Sequence, residues 1–362
     1  MVKLTEVKTI NAALLAESGH RSLVGVFLGG TSGIGHMTAR ALASTAQQAG
    51  NAPRIYLVGR SEQRGEEIVE ELRGLCPTGT HRFVRAADLS LMACVDKVCA
   101  EITRLEGQEE EPRIDYLMTS QGVPSFSRVK VRDAHTTEGL DATMSILYYS
   151  RMRAIQQLTP LLLQSKLPAT VVSVYAAGFE DEKKLFREDL SLRDLKRYSY
   201  SQVRSHLCYM HSMYMSKLAE DRQLRLVHIF PGLVLTPAFH NPAYPAWFRF
   251  LFNRILAPFF LAPFIAVNPV ESGERMLSLA SPALYPAATS NSAESRKGGT
   301  VRGMDGRPGN GAYSLDWKGD DAHNGKVYTK LGEDGIEALK KQVWEHTNKA
   351  FEVIAAGKPF TE

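Results

Sequence analysis

Short apolar runs alternate along the chain with longer stretches in which apolar residues recur every three or four positions. A continuous apolar run bounded by glycine or polar residues is typical of a strand that is covered on both faces in a parallel sheet. Such runs occur at 24–28, 55–60, 82–87, 114–119, 170–174 and 224–230, and a further short run lies at 313–317. The pattern predicts an α/β fold with a parallel sheet.

The stretches between these runs predict helices. They lie at 4–18, 36–42, 62–72, 88–105, 136–166, 271–279 and 333–354. The segment 286–312 is rich in glycine, serine and asparagine and predicts a loop. We therefore predict a single domain over 23–280, an N-terminal arm over 1–22, and a C-terminal loop and helix over 281–362 that pack on the domain.

The first run, 24–28, breaks into the sequence GGTSGIG at 29–35, and a helix-compatible stretch follows. Gly29 would permit a tight turn, Gly33 a close approach of the backbone to a pyrophosphate, and Gly35 close packing of the new helix on the strand. Free N–H groups at the helix start would attract the phosphate charge. An ordinary glycine-rich turn is the alternative, but the agreement of strand, spacing and helix favours a dinucleotide site.

Two strand ends carry charged residues. The second run ends in Arg60-Ser61. An acidic residue there would bind a ribose 2′-hydroxyl, whereas an arginine pairs with the 2′-phosphate of NADP. Arg60 thus favours NADP(H) as the cofactor. The alternative is that Arg60 is only a solvated arginine at a strand end. Asp88, after the third run, could cap the next helix.

The motif Gly29-x-x-x-Gly33-Ile34-Gly35 resembles the cofactor loop of the short-chain dehydrogenase/reductase family, although Leu28 stands where that loop usually begins with threonine. The resemblance covers 23–237 and is closest to fungal, retinol-dehydrogenase-like members of secondary metabolism. It implies a Rossmann-type, doubly wound parallel sheet, and an adenine contact for Asp88. The implied cofactor-binding residues are Gly29, Thr31, Ser32, Gly33, Ile34, Gly35, Arg60, Ser61, Asp88, Leu89, Ser120, Gly122, Pro231, Gly232, Val234 and Thr236.

The loop 231–236 closely resembles the family's Pro-Gly-x-Val-x-Thr loop, which holds the nicotinamide amide. Elsewhere the chain departs from the family. Ser120-Gln121-Gly122 replaces Asn-Ala-Gly, so the asparagine that steadies the central strand is missing. The helix position of a proton-relay asparagine falls on Leu147 or Tyr148. The polar run 148–151 could lie near the cofactor, but packing is the favoured interpretation.

Carbonyl reduction in this family uses a tyrosine as proton donor, a neighbouring cation and a serine that orients the carbonyl. Tyr200 and Arg204, one helical turn apart, are the preferred match to its Tyr-x-x-x-Lys motif. Tyr198 with Gln202 loses the cation. Residues 213–217 keep a Ser-Lys pair but lack the tyrosine.

The catalytic serine position falls on Tyr175 or Ala176, and Ser173 is a minor candidate to replace it. The catalytic set is therefore degenerate. A non-redox cyclase or isomerase on the same fold, or a catalytically inactive nucleotide-binding protein, remains an alternative to an oxidoreductase. The intact loop 231–236 favours the oxidoreductase.

Residues 238–267 are the most apolar part of the chain. Two arginines and two prolines, Arg249, Arg254, Pro258 and Pro263, make a membrane-spanning helix a poor fit. The family inserts its substrate lid here, which implies an apolar substrate. A membrane-surface segment or a homodimer interface are the alternatives.

The composition narrows the function class. The net charge of +4 is scattered, and no basic stripe with interleaved aromatic residues suggests nucleic-acid binding. The four cysteines show no pairing or metal-ligand spacing, so we expect reduced thiols, no metal site and a cytoplasmic location. The N-terminus lacks the apolar core of a signal peptide.

Overall fold

A computed structural model describes residues 3–17, 22–122, 135–221, 223–240, 245–261, 266–288, 302–304 and 309–362. These residues form one sheet with the strands β1 (Val24–Leu28), β2 (Arg54–Gly59), β3 (Thr80–Arg85), β4 (Tyr116–Thr119), β5 (Thr170–Val174), β6 (Arg225–Ile229) and β7 (Ala312–Leu315). The order is β3-β2-β1-β4-β5-β6-β7, and all neighbouring pairs are parallel. The chain builds outward from β1 in one direction and then in the other, which confirms the predicted doubly wound α/β fold.

Helices cover both faces of the sheet. They are α1 (Leu4–Glu17), α2 (Gly33–Gln48), α3 (Glu62–Leu75), α4 (Met92–Glu106), α5 (Ala142–Met144), α6 (Ser150–Leu162), α7 (Tyr200–Asp221), α8 (Ala246–Leu251), α9 (Pro269–Ser278) and α10 (Gly325–Ala355). Helices α1, α2, α3 and α9 share one apolar core, and α4, α6, α7 and α10 share the other. No helix in the described ranges is both long and apolar enough to cross a bilayer.

Successive strand residues alternate between the two cores. In β1, Val26 and Leu28 join the core under α4 and α6, whereas Phe27 joins the core under α2 and α9. All three side chains are fully buried. This two-sided burial explains why the strands have continuous apolar sequences rather than alternating ones.

The predicted helix over 136–166 is shorter and less regular than its sequence suggested. Gly139 has a φ of 82° and interrupts it. Asp141 then caps α5 by accepting hydrogen bonds from the backbone nitrogens of Thr143 and Met144, at 2.9 and 2.8 Å. A π-helical turn at Ser145–Tyr149 joins α5 to α6.

The C-terminal region contributes to the sheet and to the core. Strand β7 pairs with β6 at its edge, and the apolar side of α10 packs on α7 in the core shared with α4 and α6. The predicted division at residue 280 therefore does not separate the sheet from an appended arm. The predicted loop over 286–312 falls partly outside the described residues, at 289–301 and 305–308.

Candidate active site

A cavity of about 230 Å³ opens at the carboxyl ends of the central strands. The strand order reverses between β1 and β4, and ligands of doubly wound sheets bind at such a switch point. The residues that line the cavity are Gly29, Thr31, Ser32, Gly33, Ile34, Gly59, Arg60, Asp88, Leu89, Ser120, Gln121, Gly122, Ile146, Val174 and Thr236. Most of the predicted cofactor residues are thus brought together at one cavity.

The turn between β1 and α2 requires glycine at two points. Gly29 has a φ of 84°, and a Cβ atom there would lie 2.7 Å from the backbone nitrogen of Gln121. Gly35 lies inside α2, where a Cβ would be 2.7 Å from the Ser120 Oγ and 2.8 Å from the Gly29 carbonyl oxygen. The turn and the start of the helix therefore pack backbone to backbone.

Arg60 and Ser61 follow β2 but differ in what they contact. Arg60 is exposed and lines the cavity. Ser61 caps α3, with its hydroxyl accepting a hydrogen bond from the backbone nitrogen of Arg64 at 3.2 Å. Ser61 is therefore a helix cap that lies next to the cavity.

Asp88 lines the cavity and does not cap α4. Its Oδ1 accepts hydrogen bonds from the backbone nitrogen and the hydroxyl of Ser90, at 2.9 and 2.7 Å. The N-terminus of α4 is instead capped by Glu138, whose carboxylate accepts from the backbone nitrogens of Met92 and Ala93 at 2.6 and 2.9 Å. The predicted helix-capping alternative for Asp88 is therefore wrong, because Glu138 occupies that position.

The loop 231–236 reaches the cavity only through its last residue. Thr236 lines the cavity, and its methyl carbon would lie 3.2 Å from a Cβ at Gly33. Val234 is buried and forms a bridge with Val267. Pro231 and Gly232 do not line the cavity, and Gly232 has a φ of 73° beside Trp317.

Tyr200 and Arg204 line a second cavity, of about 720 Å³, between the loop after β5 and the start of α10. Tyr200 is the first residue of α7. The Arg204 guanidinium lies over the ring of Phe179, with its carbon 3.6 Å from the ring centroid. Most side chains around this cavity are polar or charged, among them Lys184, so this cavity does not itself indicate an apolar substrate.

Ser173 does not face either cavity. It is fully buried, and its hydroxyl accepts a hydrogen bond from the Arg151 Nη1 at 3.0 Å. Its neighbour Val174 lines the cavity at the switch point, and successive strand side chains point to opposite faces. This orientation does not support Ser173 as the group that orients a substrate carbonyl.

Arg151 of α6 is the unexpected cation of this region. It is 1% exposed, and no carboxylate pairs with it among the described residues. Its Nη1 also donates to the Val174 carbonyl at 2.7 Å, and its Nη2 donates to the Gln121 carbonyl at 2.6 Å. The guanidinium therefore joins the ends of β4 and β5 directly beneath the cavity.

Tyr175 lies next to Arg151 and is influenced by the charge of Arg204. Its half-buried ring stacks on His211 and His228, and its centroid lies 5.4 Å from the His211 centroid and 6.2 Å from the His228 centroid. The Arg151 guanidinium carbon is 5.7 Å from the centroid of the Tyr175 ring. Burial raises the pKa of Tyr175 well above its ordinary value, while the charges of Arg151 and Arg204 act to lower it. The phenol of Tyr175 is thus influenced by two guanidinium groups.

The other tyrosines in or next to the matched segments have other partners. Tyr198 donates its hydroxyl to Asp141 at 3.0 Å. Tyr214, within 213–217, stacks on Trp344 of α10 at 4.7 Å between centroids. Tyr148 bonds to the hydroxyl of Thr347, at 2.7 Å, and is fully buried. These three side chains connect secondary-structure elements.

Sequence reasoning missed part of the cluster that Arg151, Tyr175, His211 and His228 form. It considered Arg151 within a polar run but favoured packing, and it did not consider His211 and His228. The one local signal was that Arg151 interrupts the apolar side of its helix, between Met144 and Ile155. The histidines lie on α7 and β6 and gave no such signal.

Comparison with known proteins agrees with the fold. Residues 24–180 match the family model described as short chain dehydrogenase. Oxidoreductase AN1596 of Emericella nidulans is 36% identical over 352 residues, which cover 96% of this chain and 97% of that protein. Short-chain dehydrogenase/reductase SAT2 of Stachybotrys chartarum is 33% identical over 366 residues, covering 97% and 98%. A solved structure from Pseudomonas syringae, described as a short chain dehydrogenase, has a TM-score of 0.50 at 16% identity, covering 72% of this chain and 90% of that one.

Proposed function

The chain belongs to the short-chain dehydrogenase/reductase family, and we propose that it is an NADP(H)-dependent oxidoreductase that reduces a carbonyl, or oxidises an alcohol, on an apolar small molecule. The observation that carries the proposal is the meeting of the glycine turn, Arg60 and Thr236 on one cavity at the switch point. We also propose a role in secondary-metabolite biosynthesis in the cytoplasm. The resemblance to fungal family members supports the role in secondary-metabolite biosynthesis. The four cysteines, none of them in a disulfide, support the cytoplasmic location.

The residues around the cavity fit a dinucleotide phosphate. Gly29 and Gly33 have φ values of 84° and 57° and present backbone without a side chain. The first N–H groups of α2 can bind a phosphate, and the exposed guanidinium of Arg60 can pair with a 2′-phosphate. We propose that Thr236 contacts the nicotinamide end of the cofactor. NADPH bound in this way supplies a hydride to the substrate carbonyl.

Calorimetric titration with NADPH and NADH tests the cofactor assignment. We expect tighter binding of NADPH, and a roughly 10- to 100-fold weaker affinity for it in Arg60→Asp, because a charged hydrogen-bonded pair is lost. Arg104→Asp, at an exposed position on α4, is the matched control and should bind as the parent does. Equal affinities for both nucleotides, unchanged in Arg60→Asp, would remove Arg60 from the site.

We propose Tyr200 as the proton donor to the carbonyl oxygen and Arg204 as the cation that stabilises its phenolate. Their common cavity and their spacing of one helical turn support this pair. Tyr175 is the rival donor, since its phenol is influenced by both Arg151 and Arg204. The two tyrosines are close enough for their charges to interact.

Phenylalanine variants distinguish the two donors. Loss of a general acid lowers the rate by about 10²- to 10⁴-fold, so Tyr200→Phe should lower kcat strongly with little change in NADPH affinity. NADPH consumption with a panel of apolar ketones and aldehydes is the assay, and Tyr198→Phe is the control. If Tyr175→Phe is inactive and Tyr200→Phe is not, Tyr175 is the donor.

The same assay separates the alternative functions. Turnover of a substrate without consumption of nucleotide would identify a non-redox isomerase or cyclase. Tight nucleotide binding without conversion of any substrate would identify a binding protein. Full activity in all three tyrosine variants would mean that the family's proton-transfer scheme does not operate in this chain.

A further inference from the structure

The segment that follows the loop 231–236 exposes an unusual set of large apolar side chains. In α8 and the π-helical stretch Phe252–Leu261 that follows it, Trp247, Phe250 and Phe259 are 67%, 65% and 66% exposed. We call the exposed set the apolar patch; its members are Trp247, Phe250, Leu251, Ile255, Leu256 and Phe259. Exposed apolar groups of this size mark interaction sites. We propose that the patch binds the surface of an anionic lipid bilayer.

The opposite side of the same segment is already packed on the protein. Phe252 is 9% exposed and stacks on Phe239 and Phe248, with ring centroids 4.6 and 5.5 Å apart. The side-chain nitrogen of Asn253 donates to the Phe239 carbonyl at 3.2 Å. The segment is therefore attached to the domain through one side and presents the patch on the other.

The members of the patch are spread along one continuous helical segment. They follow one another by one, three or four positions from Trp247 to Phe259. Aromatic and aliphatic residues on one face of a helix, with arginine among them, are typical of a segment that lies in the interface of a bilayer. A helix of this kind inserts shallowly and parallel to the membrane surface.

The charges of this region favour an anionic partner. Arg249 and Arg254 lie within the segment, and Arg254 is exposed. The chain has no aspartate or glutamate from 222 to 270. A symmetric contact between two copies would place arginines against arginines without acids to pair them, whereas anionic headgroups would neutralise them. The bilayer is therefore the occupant that this chemistry fits.

Sedimentation of the full-length protein with lipid vesicles tests the proposal. We expect binding to vesicles of three parts phosphatidylcholine and one part phosphatidylserine, and weaker binding in high salt or to phosphatidylcholine alone. The double change Trp247→Ser with Phe250→Ser should weaken binding about tenfold or more, and Arg254→Gln about fivefold. The blue shift of tryptophan fluorescence on binding should disappear in Trp247→Phe.

Matched controls exclude a general effect of removing exposed apolar groups. Leu163 and Leu167 are 44% and 39% exposed between the end of α6 and the start of β5, at the amino-terminal ends of the strands. Their double change to serine should leave vesicle binding unchanged. Equal unfolding midpoints for all variants would show that each one is folded.

Two results would overturn the proposal. One is the absence of binding to either kind of vesicle. The other is a concentration-dependent dimer, seen by light scattering without lipid and abolished by the Trp247→Ser and Phe250→Ser double change, which would make a second copy the occupant.

Discussion

The guanidinium of Arg151 combines complete burial with a full positive charge. Burial lowers the pKa of Arg151 to about 10, so it stays charged at neutral pH. The cost of removing this charge from water is offset by hydrogen bonds from its two terminal nitrogens to the Gln121 and Val174 carbonyls and to the Ser173 hydroxyl. Because Gln121 and Val174 line the cavity at the switch point, Arg151 fixes the position of that cavity wall.

Replacing Arg151 by methionine should leave two buried carbonyls without donors. We expect the free energy of unfolding to fall by roughly 2–4 kcal/mol, and the affinity for NADPH to fall as well. Arg104→Met, at an exposed ion pair with Glu101, should cost less than about 1 kcal/mol. Urea denaturation and calorimetry measure both effects. Similar losses in the two variants would contradict this role of Arg151.

Buried neutral histidines should make the protein sensitive to mild acid. Burial lowers the pKa of His211 to about 3 and that of His206 and His346 to about 4. Between pH 4 and about 6.5, the unfolded chain therefore binds protons that the folded chain does not. The free energy of unfolding should decrease as the pH falls through this window, by roughly 1 kcal/mol per pH unit for each histidine.

Urea denaturation at a series of pH values measures this dependence. His346→Gln should reduce the slope, and His240→Gln, at an exposed position, serves as the control. A free energy of unfolding that stays constant from pH 7 to pH 5 would show that these histidines are protonated equally in both states.

At the scale of elements, the strands and the glycine turn could be predicted because their signals are local. Two-sided burial requires the apolar run of β1, and positive φ requires Gly29. The π-helical turn at Ser145–Tyr149 could not be predicted, since it depends on Asp141 and on contacts with α10 that are distant in sequence.

Gly29, in the turn after β1, and Gly50, after α2, distinguish two costs of replacing glycine, which are backbone strain and steric collision. Gly29 and Gly50 both have positive φ, 84° and 70°, but a Cβ at Gly50 would meet no atom within 4 Å. Gly50→Ala should cost about 1 kcal/mol of stability from backbone strain alone. Gly29→Ala should cost more and abolish NADPH binding, because its methyl group would collide with the Gln121 backbone. Similar stability and nucleotide affinity in both variants would show that the turn can adjust.

The candidate site was less predictable than the fold for a physical reason. Arg151, Tyr175, His211 and His228 come from α6, the end of β5, α7 and β6, and only the packing of these elements brings them into contact. Tyr200 and Arg204 could be proposed because one helix fixes their spacing. Their role as proton donor and cation stays a prediction.

At the scale of the whole molecule, the C-terminal region is part of one core. Lys340 of α10 is 1% exposed and pairs with Glu220 of α7 and with Glu337, the latter at 2.9 Å. Strand β7 covers the edge of β6. The sequence pattern of α10 indicated an amphipathic helix, but it could not show that the apolar side of α10 packs on α7 and buries it.

A fragment that ends at residue 280 should therefore fail to fold cooperatively. It would lack α10 over α7 and would expose the edge of β6 and the apolar surface of α7. We expect no sharp unfolding transition by circular dichroism, and recovery of one when a separate 281–362 fragment is added. A cooperative transition at the midpoint of the full chain would show that the C-terminal region is dispensable.

The pairing of β7 with β6 also has a consequence for synthesis of the chain, because β6 is made long before the strand that pairs with it. Leu226 pairs with Ala312, so the ribosome must complete all of the intervening chain before the sheet can gain its last strand. During that interval the edge of β6 has no neighbour on one side, and unpaired strand edges favour aggregation. The growing chain is therefore most in need of chaperones between the synthesis of these two strands.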